Sequence, residues 1–184
     1  MGKLTITTSH LNGAAIINAS PNEDERGSFN RCFCYNELSE LMGEQQIVAV
    51  NHSRSDEIGT IRGIHYQRPP FAEIKMVRCL KGKVFDVMVD LRSESETFLQ
   101  WHSEILSSKN HKMMFIPESF GHGFQVLEPK SELLYLHTAP FKVEAEGGVL
   151  YNDPAIGIKW PLAVTEISVR DLLHNPISID RFTL

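Results

Sequence analysis

Short runs of alternating hydrophobic and polar residues, separated by turn residues, make up most of the chain. Alternation with a period of two is typical of β-strands whose two faces meet different surroundings. The pattern predicts strands at Leu4–Thr8, Ala14–Ala19, Ile47–Asn51, Thr60–Gln67, Ile74–Leu80, Val84–Leu91, Trp101–Leu106, Lys112–Ile116, Gly123–Leu127 and Leu133–Thr138. About ten short strands at such close spacing predict an all-β sandwich, jelly roll or barrel.

Turn and capping residues indicate how these elements are connected. Two of the β-rich runs flank Lys81–Lys83, whose central glycine is typical of a hairpin turn. The best helix candidate is Asn36–Met42, because Asn36 can cap it and Gly43 can end it. A short helical turn is also predicted at Asp171–His174.

Polar residues share strand faces with apolar ones in the predicted central strands. The period of two aligns Lys75 with Val77, Asp86 with Met88, and Tyr135 with His137. Such faces fit a concave, partly polar interior that binds a small molecule. They fit equally an antiparallel sheet with one face in solvent, and periodicity leaves both interpretations open.

Length and composition exclude several classes of protein. The chain has 184 residues and a mass of 20.8 kDa, which predicts a single domain over residues 1–184. A net charge of −5 argues against a nucleic-acid partner, and no apolar run is long enough to span a membrane. The three cysteines are too few and too poorly spaced for a disulfide framework, which predicts reduced thiols and a cytoplasmic protein.

The common cofactor and metal motifs are also missing. The eight histidines include no His-x-x-x-His, and His65 is followed by Tyr66 and Gln67 instead of a second histidine. The sequence has no dinucleotide-binding glycine motif, no P-loop and no Gly-x-Ser-x-Gly elbow. We therefore expect neither a metal nor a cofactor.

Several motifs in a shared order resemble one known family. They are Asp24–Gly27, Arg62–Gln67, Lys75, Phe85–Val87, Ile116–Phe124, Leu133–Tyr135, Asn152–Pro154, Ile158–Leu162 and Ser168–Asp171. Together they closely resemble the nucleotide-sugar 3,5-epimerases, which act on dTDP-4-dehydro-6-deoxyglucose on the way to rhamnose. The resemblance implies a cupin-type jelly roll with a few short helices, no metal, no cofactor and a homodimer.

The resemblance also assigns chemical roles. In a 4-keto sugar the hydrogens on C3 and C5 are weakly acidic, so inversion needs a base, an enolate stabiliser and an acid on the opposite face. By resemblance His65 is the base, Asp171 orients its imidazole, Lys75 stabilises the enolate and Tyr135 returns a proton. Without the resemblance, an ordinary core histidine is the favoured interpretation of His65.

A second group of residues is implied to bind the substrate. These residues are Arg26, Phe29, Asn51, Arg62, Gln67, Asp86, His122 and Phe141. The resemblance places Arg26 on the diphosphate, across the dimer interface, and Phe29 near the base. It implies that Asp86 holds Lys75 or His65 in place.

Three positions depart from the family pattern and leave alternatives open. Arg31 and Ala49 replace a glutamate and a glutamine in the nucleotide-binding region, so CDP- and GDP-linked sugars remain alternatives to a dTDP-linked one. Phe141 replaces a tyrosine, which leaves open whether C3, C5 or both are inverted. A 3,4-ketoisomerase and a non-catalytic sugar-binding cupin are the competing functions.

Overall fold

Two antiparallel sheets face each other and enclose the main hydrophobic core. The computed structural model describes residues 3–178, 182 and 184, and this part of the chain forms thirteen strands and two short α-helices. The six-stranded sheet has the spatial order β1 (Leu4–Thr8), β2 (Ala15–Ala19), β10 (Lys112–Ile116), β7 (Lys75–Lys81), β12 (Ser131–His137) and β5 (Ala49–Ser55). The five-stranded sheet has the order β13 (Glu146–Gly148), β6 (Ile61–Gln67), β11 (Phe120–Val126), β8 (Lys83–Asp90) and β9 (Trp101–Ser107).

The remaining elements are short. A two-stranded hairpin of β3 (Asn22–Asp24) and β4 (Gly27–Phe29) follows β2, and α1 (Tyr35–Met42) follows the hairpin. A 3₁₀ turn spans Val143–Ala145, and α2 (Val169–Leu172) lies near the end of the chain. The expected all-β jelly roll with a few short helices is confirmed. Among the described residues, no helix is long and apolar enough to cross a membrane.

Apolar side chains fill three layers of the molecule. Val77 and Met88 represent the central layer, between the two sheets, where the apolar face of each sheet is removed from water. Leu38 and Met42 of α1 cover the outer face of the six-stranded sheet. Ile156 and neighbouring residues cover the outer face of the five-stranded sheet. Because both outer faces are covered, the polar residues of the central strands point inward, into the space between the sheets.

The hairpin predicted at Lys81–Lys83 is wrong. β7 belongs to the six-stranded sheet and β8 to the five-stranded one, so the chain crosses from one sheet to the other at Gly82. Gly82 has a φ of 76°, and a Cβ there would lie 2.4 Å from Oγ of Ser131. A glycine permits this tight crossing, and the two strands then cover each other instead of pairing.

Other boundaries differ by a few residues. Helix α1 begins at Tyr35, and Asn36 lies inside its first turn; Cys34 takes the N-cap position because its backbone is extended there. The predicted end at Gly43 is confirmed. β11 begins at Phe120, three residues before the predicted start at Gly123. The sequence pattern missed its first residues because the two glycines of β11 lower the strand propensity, although the strand is fully buried.

Candidate active site

A cavity lies between the two sheets and is lined on one side by residues of the C-terminal segment 165–171. Its volume is about 900 Å³. His65 lines it from β6 of one sheet, and Tyr135 lines it from β12 of the other. The predicted residues on this wall are His65, Asp171, Tyr135, Lys75, Asn51, Arg62 and His122. The fold thus brings seven of the twelve candidate residues into one space, on strands that are far apart in sequence.

His65 is bound to Asp171 at one end of the cavity. Nε2 of His65 lies 2.7 Å from Oδ1 of Asp171, whose side chain is 3% exposed. The other carboxylate oxygen accepts a hydrogen bond from the backbone N–H of Gly63 at 3.2 Å. Ser168 caps α2 by accepting from the N–H of Asp171, so the helix holds the carboxylate in position.

The environment of Asp171 keeps its carboxyl group ionised. Burial alone would raise its pKa, but the hydrogen bond and charge of His65, with the N–H of Gly63, lower the pKa to about 2. When the imidazole of His65 is neutral, the ionised carboxylate accepts the proton on Nε2, and the lone pair then lies on Nδ1. The guanidinium of Arg170 lies 3.4 Å from the same Nε2 and is held by Glu146 at 2.9 Å. The pairing with Asp171 thus fixes the tautomer of the neutral imidazole, in which Nδ1 can accept a proton.

Lys75 lies on β7, inside the same cavity. Its ammonium group donates to the backbone oxygen of His65 at 3.3 Å and pairs with Oε1 of Glu73 at 3.2 Å. The side chain is 11% exposed, so its charge acts in a site from which most water is excluded. An ammonium group in this position can stabilise negative charge that develops on a substrate oxygen.

Tyr135 is the phenol on the opposite wall. Its hydroxyl lies 3.1 Å from Oγ of Ser53, and its ring is flanked by His122 on one side and His137 on the other, with centroids 6.1 and 6.0 Å away. Burial raises the pKa of Tyr135 above that of an ordinary phenol, and the hydrogen bond from Ser53 offsets this only in part. The phenol therefore remains protonated at neutral pH.

Asp86 binds a different partner from the one predicted. Its buried carboxylate contacts Nε2 of His122 at 3.0 and 3.1 Å, and neither Lys75 nor His65 is its partner. Burial raises the pKa of Asp86, and the charge of His122 opposes this. The reason is the register of the sheet. β11 lies between β6 and β8 and pairs His122 with Met88, so Asp86, two positions before Met88, is a diagonal neighbour of His122 on the same face.

Four further candidates lie outside the cavity wall. Arg26 and Phe29 belong to the β3–β4 hairpin, where the Arg26 side chain is 86% exposed and Phe29 is 63% exposed. Phe141 is 59% exposed. Gln67 is buried and holds the loop after β12, donating to the backbone oxygens of Phe71 and Pro140 and accepting from the N–H of Lys142. The substrate-binding roles of these four remain predictions.

The fold also brings together a group that the sequence spacing did not indicate. His65, Asp171 and His174 each offer a potential ligand atom, all within 4.8 Å of one another. The sequence separation between His65 and the other two hides this proximity. Two imidazoles and a carboxylate are metal-ligand types, but here His65 and Asp171 already bind each other, which is equally the arrangement of a base and its orienting group.

Two further residues near the site were not among the predicted site residues. They are Glu73, which the sequence did not indicate, and His137, which it placed only on the strand face of Tyr135. Oε2 of Glu73 lies 2.8 Å from Nδ1 of His137, which lines the cavity. The signal for His137 was present, because it shares a strand face with Tyr135. The sequence carried no corresponding signal for Glu73, because this residue precedes β7 and contacts the site only through the tertiary fold.

A jelly roll in which a carboxylate-bound imidazole faces a phenol across one cavity defines a cupin-type epimerase, an enzyme of the isomerase class. Comparison with known proteins narrows this class. The sequence profile described as dTDP-4-dehydrorhamnose 3,5-epimerase matches residues 8–178. The chain belongs to the dTDP-4-dehydrorhamnose 3,5-epimerase family.

Individual relatives agree with this placement. The dTDP-4-dehydrorhamnose 3,5-epimerase of Salmonella typhimurium is 44% identical over 150 residues, covering 80% of this chain and 81% of that protein. The crystal structure of dTDP-6-deoxy-D-glucose-3,5-epimerase from Legionella pneumophila, in complex with dTDP-4-keto-L-rhamnose, has a TM-score of 0.91 at 35% identity and covers 98% of this chain and 95% of that one. A 3'-monoepimerase from Streptomyces bikiniensis, in complex with dTDP-quinovose, has a TM-score of 0.85 at 27% identity and covers 91% and 85%.

Proposed function

We propose that the protein inverts C3, C5 or both in a nucleotide-diphosphate 4-keto-6-deoxy sugar, with dTDP-4-dehydro-6-deoxyglucose as the expected substrate. The observation that carries the proposal is the position of His65 and Tyr135 on facing walls of one cavity, whose volume of about 900 Å³ admits a hexose. The Legionella relative, crystallised with dTDP-4-keto-L-rhamnose, supports a dTDP-linked sugar.

The proposed step is a proton transfer across the sugar ring. Nδ1 of His65 removes the proton from the carbon beside the C4 carbonyl, and the C–H electron pair moves into the carbonyl to form an enolate. Lys75 stabilises the enolate oxygen. Tyr135 then donates its proton to the other face of the same carbon, the C4 carbonyl reforms, and the configuration is inverted. His65 releases its proton to solvent, and the Tyr135 phenolate regains one.

The raised pKa of Tyr135 suits this role. A phenol that stays protonated is ready to donate when the enolate forms, and it does not compete with His65 as a base. The separation of the two groups onto different sheets is what allows removal and return of the proton on opposite faces.

We further propose that the enzyme acts as a homodimer in the cytoplasm. The exposed β3–β4 hairpin supports the dimer, because it presents Arg26 and Phe29 away from the cavity of its own chain. An exposed arginine that reaches a neighbouring cavity can form charge-assisted hydrogen bonds to a diphosphate. The free cysteines at positions 32, 34 and 79 support a reducing compartment.

Solvent exchange tests the proposed reaction directly. Incubation in D2O with dTDP-4-dehydro-6-deoxyglucose should introduce deuterium at C3, C5 or both, as measured by NMR. His65→Asn should abolish the labelling while dTDP binding is retained. A protein that binds the sugar without labelling it would support a non-catalytic cupin, and movement of the carbonyl to C3 would support a ketoisomerase. The same labelling assay with CDP- and GDP-linked 4-keto sugars identifies the nucleotide that the enzyme accepts.

The stereochemical outcome has a separate readout. The Streptomyces bikiniensis relative is a 3'-monoepimerase, and Phe141 lacks the hydroxyl that the family pattern carries there. Labelling confined to C3 would make this chain a monoepimerase as well. Labelling at both carbons is the outcome expected of a 3,5-epimerase.

A further inference from the structure

His137 is a cavity residue that the proposed mechanism does not use. It lies on β12, two positions after Tyr135, and its ring is nearly parallel to that phenol, with an interplanar angle of 16° and a centroid distance of 6.0 Å. Its side chain is 14% exposed and lines the same wall of the cavity. The residue therefore faces the space that the sugar would occupy.

Glu73 fixes the orientation of this imidazole. Oε2 of Glu73 lies 2.8 Å from Nδ1 of His137, and its other oxygen pairs with Lys75 at 3.2 Å. Burial raises the pKa of Glu73, but the hydrogen bond from His137 and the charge of Lys75 outweigh burial, and the net result is a lowered pKa. An ionised Glu73 only accepts hydrogen bonds, so Nδ1 of His137 carries the proton and donates it.

When the imidazole of His137 is neutral, this arrangement leaves its Nε2 as a hydrogen-bond acceptor. No hydrogen bond joins Nε2 to any of residues 3–178, 182 or 184. A neutral imidazole with a protonated Nδ1 accepts at Nε2, and an acceptor in a sugar cavity matches a hydroxyl donor. A buried wall built with an unused acceptor discriminates strongly against a ligand that lacks the matching donor.

We propose that His137 is a specificity-determining residue that accepts a hydrogen bond, through Nε2, from a ring hydroxyl of the hexose. The inference rests on the proposed function and adds a requirement to it: the substrate carries a hydroxyl at C2 or C3. Glu73 is a positioning residue that serves two groups at once, since one carboxylate orients both the lysine that stabilises the enolate and the imidazole that recognises the sugar.

The test compares two substitutions that mimic different halves of the imidazole. His137→Asn keeps a donor where Nδ1 is and removes the acceptor at Nε2, so we expect KM to rise roughly tenfold with kcat little changed. His137→Gln places an amide near the position of Nε2, and we expect it to recover part of the lost affinity. His10→Asn, an exposed histidine outside the cavity, is the matched control.

Deoxy substrates make the test specific to the hydroxyl. The 2-deoxy and 3-deoxy analogues of the dTDP-linked 4-keto sugar are compared with the parent, and the common readout is exchange at a carbon, C3 or C5, that the wild type labels in the parent sugar. For the analogue that lacks the recognised hydroxyl, His137→Asn and the wild type should have the same KM. An equal effect of His137→Asn on all three sugars, or no effect on any, would overturn the assignment.

The two proposals fail in distinguishable ways. If the wild-type enzyme labels neither C3 nor C5 of any 4-keto sugar, the proposed function is wrong. If it labels the sugar and His137→Asn has an unchanged KM for the parent substrate, only the role of His137 is wrong. Thermal unfolding of each variant separates loss of the fold from loss of recognition, and His137→Gln supplies a second variant should His137→Asn fail to fold.

Discussion

At the scale of single residues, carboxylates decide how the imidazoles of the cavity are oriented. Three histidine–carboxylate pairs surround it: His65–Asp171, His122–Asp86 and His137–Glu73. Each carboxylate is at most 8% exposed, so the hydrogen bond is formed in a region of low dielectric constant, where it is strong. The chemistry of the site therefore depends on buried groups that need not contact the substrate.

Asp171→Asn tests this dependence for the proposed base. The amide keeps the size of the side chain but can donate to Nε2 of His65, which would favour the wrong tautomer. We expect kcat to fall by about 100-fold or more, with a smaller change in KM. Steady-state kinetics measure both, and Asp56→Asn, an exposed carboxylate outside the cavity, is the control. An unchanged kcat would remove Asp171 from its proposed role.

The lowered pKa of Asp171 also predicts how stability depends on pH. A carboxyl group with a pKa of about 2 in the folded protein stabilises it fully above its ordinary value of about 3.9. That contribution is lost as the pH falls towards 2. The free energy of unfolding should therefore fall less between pH 4 and pH 2 in Asp171→Asn than in the wild type, as measured by urea titration. Parallel slopes for the two proteins would contradict the prediction.

At the scale of elements, the sequence predicts strands better than their partners. Alternation located β7 and β8 almost to the residue, because it reports that each strand has two different faces. It does not report which strand lies alongside, so a glycine turn that crosses between sheets looked like a hairpin turn. The β3–β4 hairpin was missed because all six of its residues are exposed and show no alternation.

The same limit applies to the site. His65, Lys75, Tyr135 and Asp171 are implied by the resemblance through their order along the chain, and all four line one cavity. The partner of Asp86 could not be predicted, because it follows from the register of β8 against β11. Contacts set by sheet register and by tertiary packing leave no local pattern in the sequence.

Gly63 shows how closely two strands approach beneath the site. It has a φ of 107°, and a Cβ there would lie 2.5 Å from the backbone oxygen of His122. Gly63→Ala should lower the free energy of unfolding by about 3 kcal/mol or more, because backbone strain and a clash with a fixed strand add together. Denaturant unfolding measures the loss.

Gly43→Ala is the matched control for this prediction. Gly43 also has a positive φ, 55°, but a Cβ there meets no atom within 4 Å among the described residues. It therefore reports backbone strain alone, of about 1 to 3 kcal/mol. Equal losses for the two variants would show that the close approach of β6 and β11 is unimportant.

At the scale of the whole molecule, each cavity of the proposed dimer would contain residues from both chains, because Arg26 is proposed to reach the cavity of the neighbouring chain. If Arg26 acts across the interface, a mixed dimer of Arg26→Ala and His65→Asn subunits contains one complete site. Mixing the two weak variants, with subunit exchange, should then restore up to about one quarter of wild-type turnover. Deuterium labelling of the sugar at a limiting substrate concentration measures the recovery.

A second mixture supplies the control. His65 and Asp171 contact each other within one chain, so a mixture of His65→Asn and Asp171→Asn should restore nothing. Recovery in the first mixture and none in the second is the expected result. No recovery in either would mean that Arg26 serves its own chain or does not bind the substrate.

The position of α2 has a consequence for engineering. His65, Lys75 and Tyr135 project from strands of the two sheets, whereas Asp171 lies on a separate four-residue helix that contacts β6. Recombination of this segment between homologues would therefore exchange the carboxylate that orients His65, together with the neighbouring residues of the segment that line the cavity, while the walls formed by the two sheets are kept. A library of such chimaeras could vary turnover while the cavity residues contributed by the strands stay constant.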